Sequence, residues 1–307
     1  KEVIFDAEHF FDGFKENQAY ACQTVSAAIN AGADTIVFCD TNGGTLPFEI
    51  ESIIQELFGR IEIDSGLSIE NLRQKFGIHT HNDCGLAVAN SISAIRLGLT
   101  MVQGTINGYG ERCGNADLTS IIPILSEKMD VQCIPRENLS QLRSLSSYVS
   151  ETANLVPLKS RPFVGKSAFA HKGGIHVNAI MKTPKAYEHM RPELVGNAQR
   201  VLISDLSGKS NIEYKAAEFG VKLGGNGFDS KHIVSRIKEL EQDGYQFDVA
   251  DGSFKILAEK LTEQFTPLFD LESFRVTIEK DKDQPCSAHA TIKISVDGNQ
   301  EITAAEG

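Results

Sequence analysis

Between residues 1 and 130 one pattern recurs four times: a short apolar run, a cluster of polar or glycine residues, then a segment whose apolar positions repeat at helical spacing. The runs end near Ala7, at Cys39, near His81 and near Ile106. The segments between them carry Tyr20, Ala21, Val25, Ala28 and Ile29, closed by Gly32; Ile50, Ile53, Ile54 and Leu57 behind Pro47; Val88, Ile92, Ile95 and Leu99; and a stretch from about Asn115 to Lys128. A run that is apolar throughout, such as Thr35 to Cys39, suits a strand buried on both faces. Strand–helix alternation of this kind builds a parallel sheet with right-handed crossovers. Four units make either half of an eightfold barrel or a small open sheet, and an open sheet needs a reversal of strand order that the sequence does not locate. In both architectures ligand chemistry gathers at the carboxyl ends of the strands. Here every strand is followed by acid, amide or imidazole groups.

Beyond Met129 the character changes. Leu139, Leu142, Leu145 and Val149 predict a helix, residues 154–165 an irregular connector, and two further helices fit Ile233, Ile237 and Leu240, then Phe254, Leu257, Leu261 and Phe265. From Phe274 the period switches to two, through Val276 and Ile278 and again Ala290, Ile292, Ile294 and Val296, the signature of strands. The expected division is therefore a half sheet or half barrel over 1–130, helical subdomains over 131–270 and the start of a small β-containing domain over 271–307. The chain opens at Lys1 directly on a strand and ends at Gly307 just after a β-rich segment, and reads as a piece of a longer protein.

Thirty basic against 41 acidic residues give a net charge of −11, which argues against bulk binding to nucleic acid or an anionic membrane. No run approaches the ~18 apolar residues of a membrane span, and no signal peptide is visible. The six cysteines form no Cys-x-x-Cys pair, so they read as reduced thiols of a cytoplasmic protein rather than as a zinc ribbon or redox motif.

The chemistry concentrates between Gly77 and Asn115. His79 and His81 are two residues apart in an apolar run, and in a strand such positions share a face, so one face offers two imidazole nitrogens to a metal. Asn82 and Asp83 follow as cap residues of the next helix and as groups that fix the histidine tautomers. The glycine-rich loop Gly104 to Asn115 lacks the full dinucleotide-binding fingerprint. Within it Glu111 and Arg112 read as a neighbouring pair that braces the loop, and Cys113 as packing. Glu8 ends the first strand, where it either faces a site or makes a surface ion pair; Thr41 ends the second, where it binds ligand or caps a helix. His176, beside glycines, and Tyr187 are equally readable as loop and core residues.

Taken together, the segments Phe5–Gly13, Cys39–Thr45, His79–Asp83, Asn107–Asn115 and Gly173–His176 resemble the metal-dependent acyl-CoA condensing enzymes that include the isopropylmalate, homocitrate and citramalate synthases. The first of these motifs, the double glycine after Asn42 and the segment Ala170–Gly174 are most similar to the citramalate synthase branch, which serves isoleucine synthesis. The resemblance implies a TIM barrel of which this chain supplies the fifth to eighth strands, followed by helical subdomains and the start of a feedback domain. It implies a divalent metal, Mn, Mg or Zn, held by His79 and His81 with Asn115 as a further ligand. It implies acetyl-CoA and a 2-oxo acid, pyruvate in that branch, as substrates. His176 is the implied base or proton relay, assisted by Tyr187 and working in the partner subunit of a homodimer. Glu8 is implied to orient substrate or stabilise the enolate, and Thr41 to bind the substrate carboxylate. The family's Thr-Leu-Arg-Asp segment, which brings a metal-binding Asp and an Arg for the oxo acid, occurs nowhere in these 307 residues, so this polypeptide alone is expected to bind metal weakly and turn over little. Competing readings are a metal-dependent hydrolase, which would want further His ligands, a 3-hydroxyacyl-CoA lyase on the same barrel, and a non-catalytic assembly fragment.

Overall fold

The computed structural model describes residues 1–65, 73–204, 207–224, 230–248 and 250–307. Strands β1 (Ile4–Ala7), β2 (Thr35–Asp40), β3 (Phe76–Thr80) and β4 (Met101–Gln103) form one parallel sheet in sequential order. Between and after them run helices α1 (Phe10–Glu16), α2 (Gln18–Asn30), α3 (Pro47–Ser65), α4 (Ala87–Arg96) and α5 (Leu118–Lys128). The strand order contains no reversal, so the alternatives left open by the sequence resolve to four consecutive units of a (β/α)8 barrel.

The pleat divides the sheet into two surfaces. Ile36, Phe38, Phe76 and Ile78 point toward the helices and pack with Phe10, Phe11, Phe14, Val25, Ile50, Ile54 and Leu57. The centre of this layer is a run of rings: Phe10 to Phe38 at 4.5 Å between centroids, Phe38 to Phe76 at 5.2 Å and Phe76 to Phe58 at 5.3 Å. The opposite face carries Asp6, Val37, Cys39, His79 and Gln103, because the register pairs Asp6 with Val37 and sets Cys39, His79 and Gln103 side by side. An apolar layer behind the sheet and a polar face in front of it place the chemistry on the side that a closed barrel encloses.

Helix α3 shows how local chemistry fixes these elements. Pro47 occupies its first turn, where a missing N–H costs nothing. Glu49 accepts a hydrogen bond from the Leu46 amide at 2.8 Å and pairs with Lys15 of α1 at 2.9 Å. These contacts hold the Glu49 carboxyl below its ordinary value of 4.5, the backbone hydrogen bond contributing most. With the folded value depressed, the unfolded chain takes up the proton first, so the stabilisation is complete above the ordinary value and is lost as pH falls through the folded one. Urea midpoints of the wild type and Glu49→Gln are accordingly expected to differ at pH 7 and to converge as pH falls through the depressed folded value, below 4.5.

The remaining elements shift from expectation in small, explicable ways. The fourth strand ends at Gln103 rather than Ile106, because Thr105 bridges to Asp117 and Ile106–Gly108 forms a 3-10 turn in which Asn107 has φ 69°. Helix α5 starts at Leu118 because Asp117 caps it, accepting from the Thr119 amide at 2.9 Å. The helix around Phe254 spans Asp251–Leu261 and stops short of Phe265, since Glu263 turns to φ 58°. The chain divides into two compact units, one of Lys1–His171 with Ala179–Arg200, the other of Lys172–Asn178 with Val201–Gly307. The first includes a second small core of Leu139, Leu142, Phe163, Val164, Phe169 and Val195. The second has its own core of Ile212, Ile233, Ile237 and Phe254 and carries an antiparallel sheet of Asp270–Glu279, Ser287–Val296 and Asn299–Glu306, with Phe274, Val276 and Ile278 exposed. Among the described residues no helix is long and apolar enough to cross a membrane.

Candidate active site

His79 is the penultimate residue of β3 and His81 follows its end, so the alternation of the strand turns both rings to the polar face. Their centroids lie 5.2 Å apart, with the ring planes 35° from parallel. Backbone contacts fix the second ring's position: the His81 amide donates to Asp40 O at 3.2 Å, and His81 forms a bridge with Asn115. Asn82 N donates to Gly114 O at 2.9 Å and Ala116 N to Thr80 O at 3.0 Å, which stitches the glycine-rich loop along the end of β3. Inside the loop Asn115 Nδ2 donates to Tyr109 O at 3.3 Å; Asn115 Oδ1 and His81 Nδ1 are buried and have no hydrogen-bond partner among the described residues. Burial chiefly, then the positive charge that His79 and Arg112 bring nearby, holds the His81 pKa below its ordinary value and favours neutral imidazole.

The first two strand ends meet beside this pair. Thr41 Oγ1 donates to Glu8 Oε2 at 2.7 Å and accepts from the His9 amide at 2.8 Å, so the two sequence-predicted substrate-binding residues are joined to each other. Arg112, in the left-handed region at φ 55°, clamps Asp83 through Nε at 2.8 Å and a terminal nitrogen at 3.0 Å, and donates to Thr41 O at 2.7 Å. The expected pairing of Arg112 with its neighbour Glu111 is thus replaced by a bracket that ties the loop to the ends of β2 and β3. Hydrogen bonds from Arg112 hold the Asp83 carboxyl below the usual aspartate range. The N-cap of α4 is Leu86 rather than Asn82 or Asp83; Asn82 still accepts from Ala87 N at 3.2 Å, whereas Asp83 is engaged by Arg112 and not by the histidines. Cys113 is exposed and borders a small cavity with Asn107, Asn115, Asp117 and Arg161, rather than packing in a core.

Behind the loop a polar framework sets its shape. Asn107 Nδ2 donates to Ser146 O at 2.8 Å and to Ser150 Oγ at 3.1 Å, while the half-buried Arg161 pairs with Asp117 at 2.7 Å. Below the histidines, Asp40 is buried and accepts from Thr45 Oγ1 at 2.7 Å, and desolvation raises its pKa. Cys39, also buried, has its thiol pushed up to about 12, by desolvation first and then by Glu8 and Asp6. His79 Nδ1 lies 2.8 Å from Gln103 Oε1, a contact the sequence did not single out because Gln103 reads as one more strand residue. Of the other expected residues, His176 is exposed in the first turn of the helix Gly174–Lys182 and belongs to the second unit, whereas Tyr187 is exposed in the first.

Gly110 shows how closely the loop is fitted around Asn115. A Cβ there would lie 2.0 Å from Asn115 Nδ2, so Gly110→Ala has to displace that side chain. The substitution is expected to disturb the loop and lower the urea midpoint relative to the wild type.

Among the described residues no group of three or more His, Cys, Asp or Glu side chains is arranged to hold a metal ion. Two imidazoles share one face at the end of β3, and Asn115 is bridged to the second of them. Neutral imidazole and a carbonyl-type oxygen suit a divalent ion of the manganese or zinc type, and a buried unpartnered nitrogen and oxygen on two bridged residues fit such an ion.

Comparison with known proteins agrees with this picture. The HMGL-like family matches residues 5–149, and the homocitrate synthase post-HMGL domain-like family matches residues 163–245. An (R)-citramalate synthase of Geobacter sulfurreducens is 52% identical over the whole chain, and one of Aquifex aeolicus 46%; in each case the chain covers 56% of the relative. A 2-isopropylmalate synthase of Bradyrhizobium diazoefficiens is 34% identical, again over the whole chain and 56% of the relative. The chain is similar along its whole length to citramalate and 2-isopropylmalate synthases. It spans about half the length of the curated relatives it matches.

Proposed function

We propose that this chain is the second half of the catalytic barrel of a citramalate synthase, with its following helical subdomains and the start of a regulatory domain. In this reading acetyl-CoA condenses with pyruvate, the methyl carbon of the acetyl group bonding to the ketone carbon, and water then hydrolyses the thioester to release coenzyme A. The observation that carries it is the pair of imidazoles projecting from one strand end beside the buried, unpartnered Asn115 Oδ1. The choice of acceptor rests on identity, 52% and 46% to citramalate synthases against 34% to the isopropylmalate synthase.

His79, His81 and Asn115 would hold the divalent ion, Mn, Mg or Zn, which when bound polarises the ketone as a Lewis acid. Thr41 binds the substrate carboxylate through the hydroxyl that otherwise donates to Glu8, and Glu8 then orients the acetyl group. His176, assisted by Tyr187, takes the methyl proton in the partner subunit's site of a cytoplasmic homodimer. The product belongs to isoleucine synthesis, and the sheet at Asp270–Glu306 begins the part that senses that amino acid.

The test is free-thiol release by the full-length protein with acetyl-CoA, Mn(II) and a panel of 2-oxo acids. Pyruvate is expected to be the preferred acceptor. A preference for 2-oxoisovalerate would reassign the chain to the isopropylmalate branch, and release with no 2-oxo acid would reject the synthase.

A further inference from the structure

The register that pairs β3 with β4 sets Gln103 beside His79, and the same face of the sheet brings Asp6 to the far side of Gln103. Gln103 Nε2 donates to Asp6 Oδ1 at 2.9 Å, and Gln103 Oε1 lies 2.8 Å from His79 Nδ1. These two contacts have a direction. A carboxylate oxygen only accepts, so Asp6 takes the NH2 end of the amide and commits its oxygen to the imidazole. An amide oxygen also only accepts, so the ring nitrogen facing it must carry the hydrogen. The lone pair of the neutral ring is then on Nε2.

We propose that Gln103, oriented by Asp6, is a positioning residue that selects the Nδ1–H tautomer of His79 and so presents Nε2 as its ligating atom. Asp83, the residue expected from the sequence to orient the histidines, is occupied by Arg112, and His81 Nδ1 has no hydrogen-bond partner among the described residues. The relay therefore falls on one histidine of the pair. Its link to a cation rests on the functional reading above, whereas the tautomer itself does not.

Two measurements on the full-length protein separate these levels. In metal-free protein labelled with 15N-histidine, with His79 assigned by its loss in His79→Asn, the ring is expected to show a protonated Nδ1 and an unprotonated Nε2. Gln103→Leu is expected to move the ring to the Nε2–H form preferred by a free imidazole, or to a mixture. Asp6→Asn, which frees the amide to turn over, is expected to give a mixture, and Gln103→Glu combined with Asp6→Asn, in which the new amide donates to the new carboxylate and the carboxylate accepts from the ring, to restore the wild-type tautomer. Mn(II) affinity by electron paramagnetic resonance is expected to fall about tenfold or more in Gln103→Leu and to recover in the Asp6→Asn, Gln103→Glu double variant. A merely structural Gln103 would not give this rescue. A wild-type His79 protonated at Nε2, an unchanged tautomer in Gln103→Leu, or a double variant that behaves like the leucine variant would overturn the proposal. The expected tautomers without Mn(II) binding by the wild type would uphold the relay and remove the metal reading of the site.

Discussion

Replacing His81 with alanine in the full-length protein is expected to lower the condensation rate about 10³-fold, with Mn(II) binding lost in the same step. That factor corresponds to about 4 kcal/mol of transition-state stabilisation, the several kcal/mol that polarisation of a carbonyl by a bound ion contributes. The geometry says why the loss should not be made up by a neighbour. His79 is fixed by Gln103 at 2.8 Å, Glu8 is engaged by Thr41 at 2.7 Å, and Asp83 is held by Arg112, so each of these three neighbours already has a partner to leave before it could take the vacated position. Rate measured against added Mn(II), together with direct binding, checks the outcome. Wild-type turnover in His81→Ala at saturating metal would show that this imidazole does not ligate.

The largest effect on stability is expected at Phe38. Its side chain is fully buried and lies between Phe10 and Phe76, at centroid distances of 4.5 and 5.2 Å, on the strand that pairs with both β1 and β3. Truncation removes apolar contact from the sheet and from α1 at once and leaves a cavity that helices anchored by Phe11, Ile50 and Ile54 cannot close. Phe38→Ala is accordingly expected to cost about 3–5 kcal/mol in urea unfolding, within the range for buried aromatic residues. Phe48→Ala, at a position 68% exposed, is expected to change stability by less than about 0.5 kcal/mol and serves as the control.

Much of this architecture was legible in the residues because local pattern and tertiary role coincide. Thr35–Asp40 is apolar at nearly every position and is buried along its whole length. The two-residue spacing of His79 and His81 translates directly into a shared face. What escaped was set by contacts distant in the chain. Gln103 lies 97 positions from Asp6 and 24 from His79, and inside a run read as strand its amide carries no mark of either partner. Arg112 has an acid beside it in Glu111, yet its left-handed backbone and the loop's attachment to β3 deliver it to Asp83, 29 positions earlier. The choice between barrel and open sheet was likewise invisible to period and composition, since it resides in strand order, which only pairing reveals.

Cys39 lies in the row of the sheet occupied by His79 and Gln103, with the carboxylates of Asp6 and Glu8 nearby. A thioester is open to capture by any thiolate it meets, and transfer of its acetyl group to the protein would waste the activated carbon. Burial pushes the Cys39 thiol up to about 12, so in the proposed synthase a thioester bound at this face would meet an inert sulfur. The wall of the barrel next to the histidines can thus hold a small, soft side chain without opening a side reaction to acyl exchange.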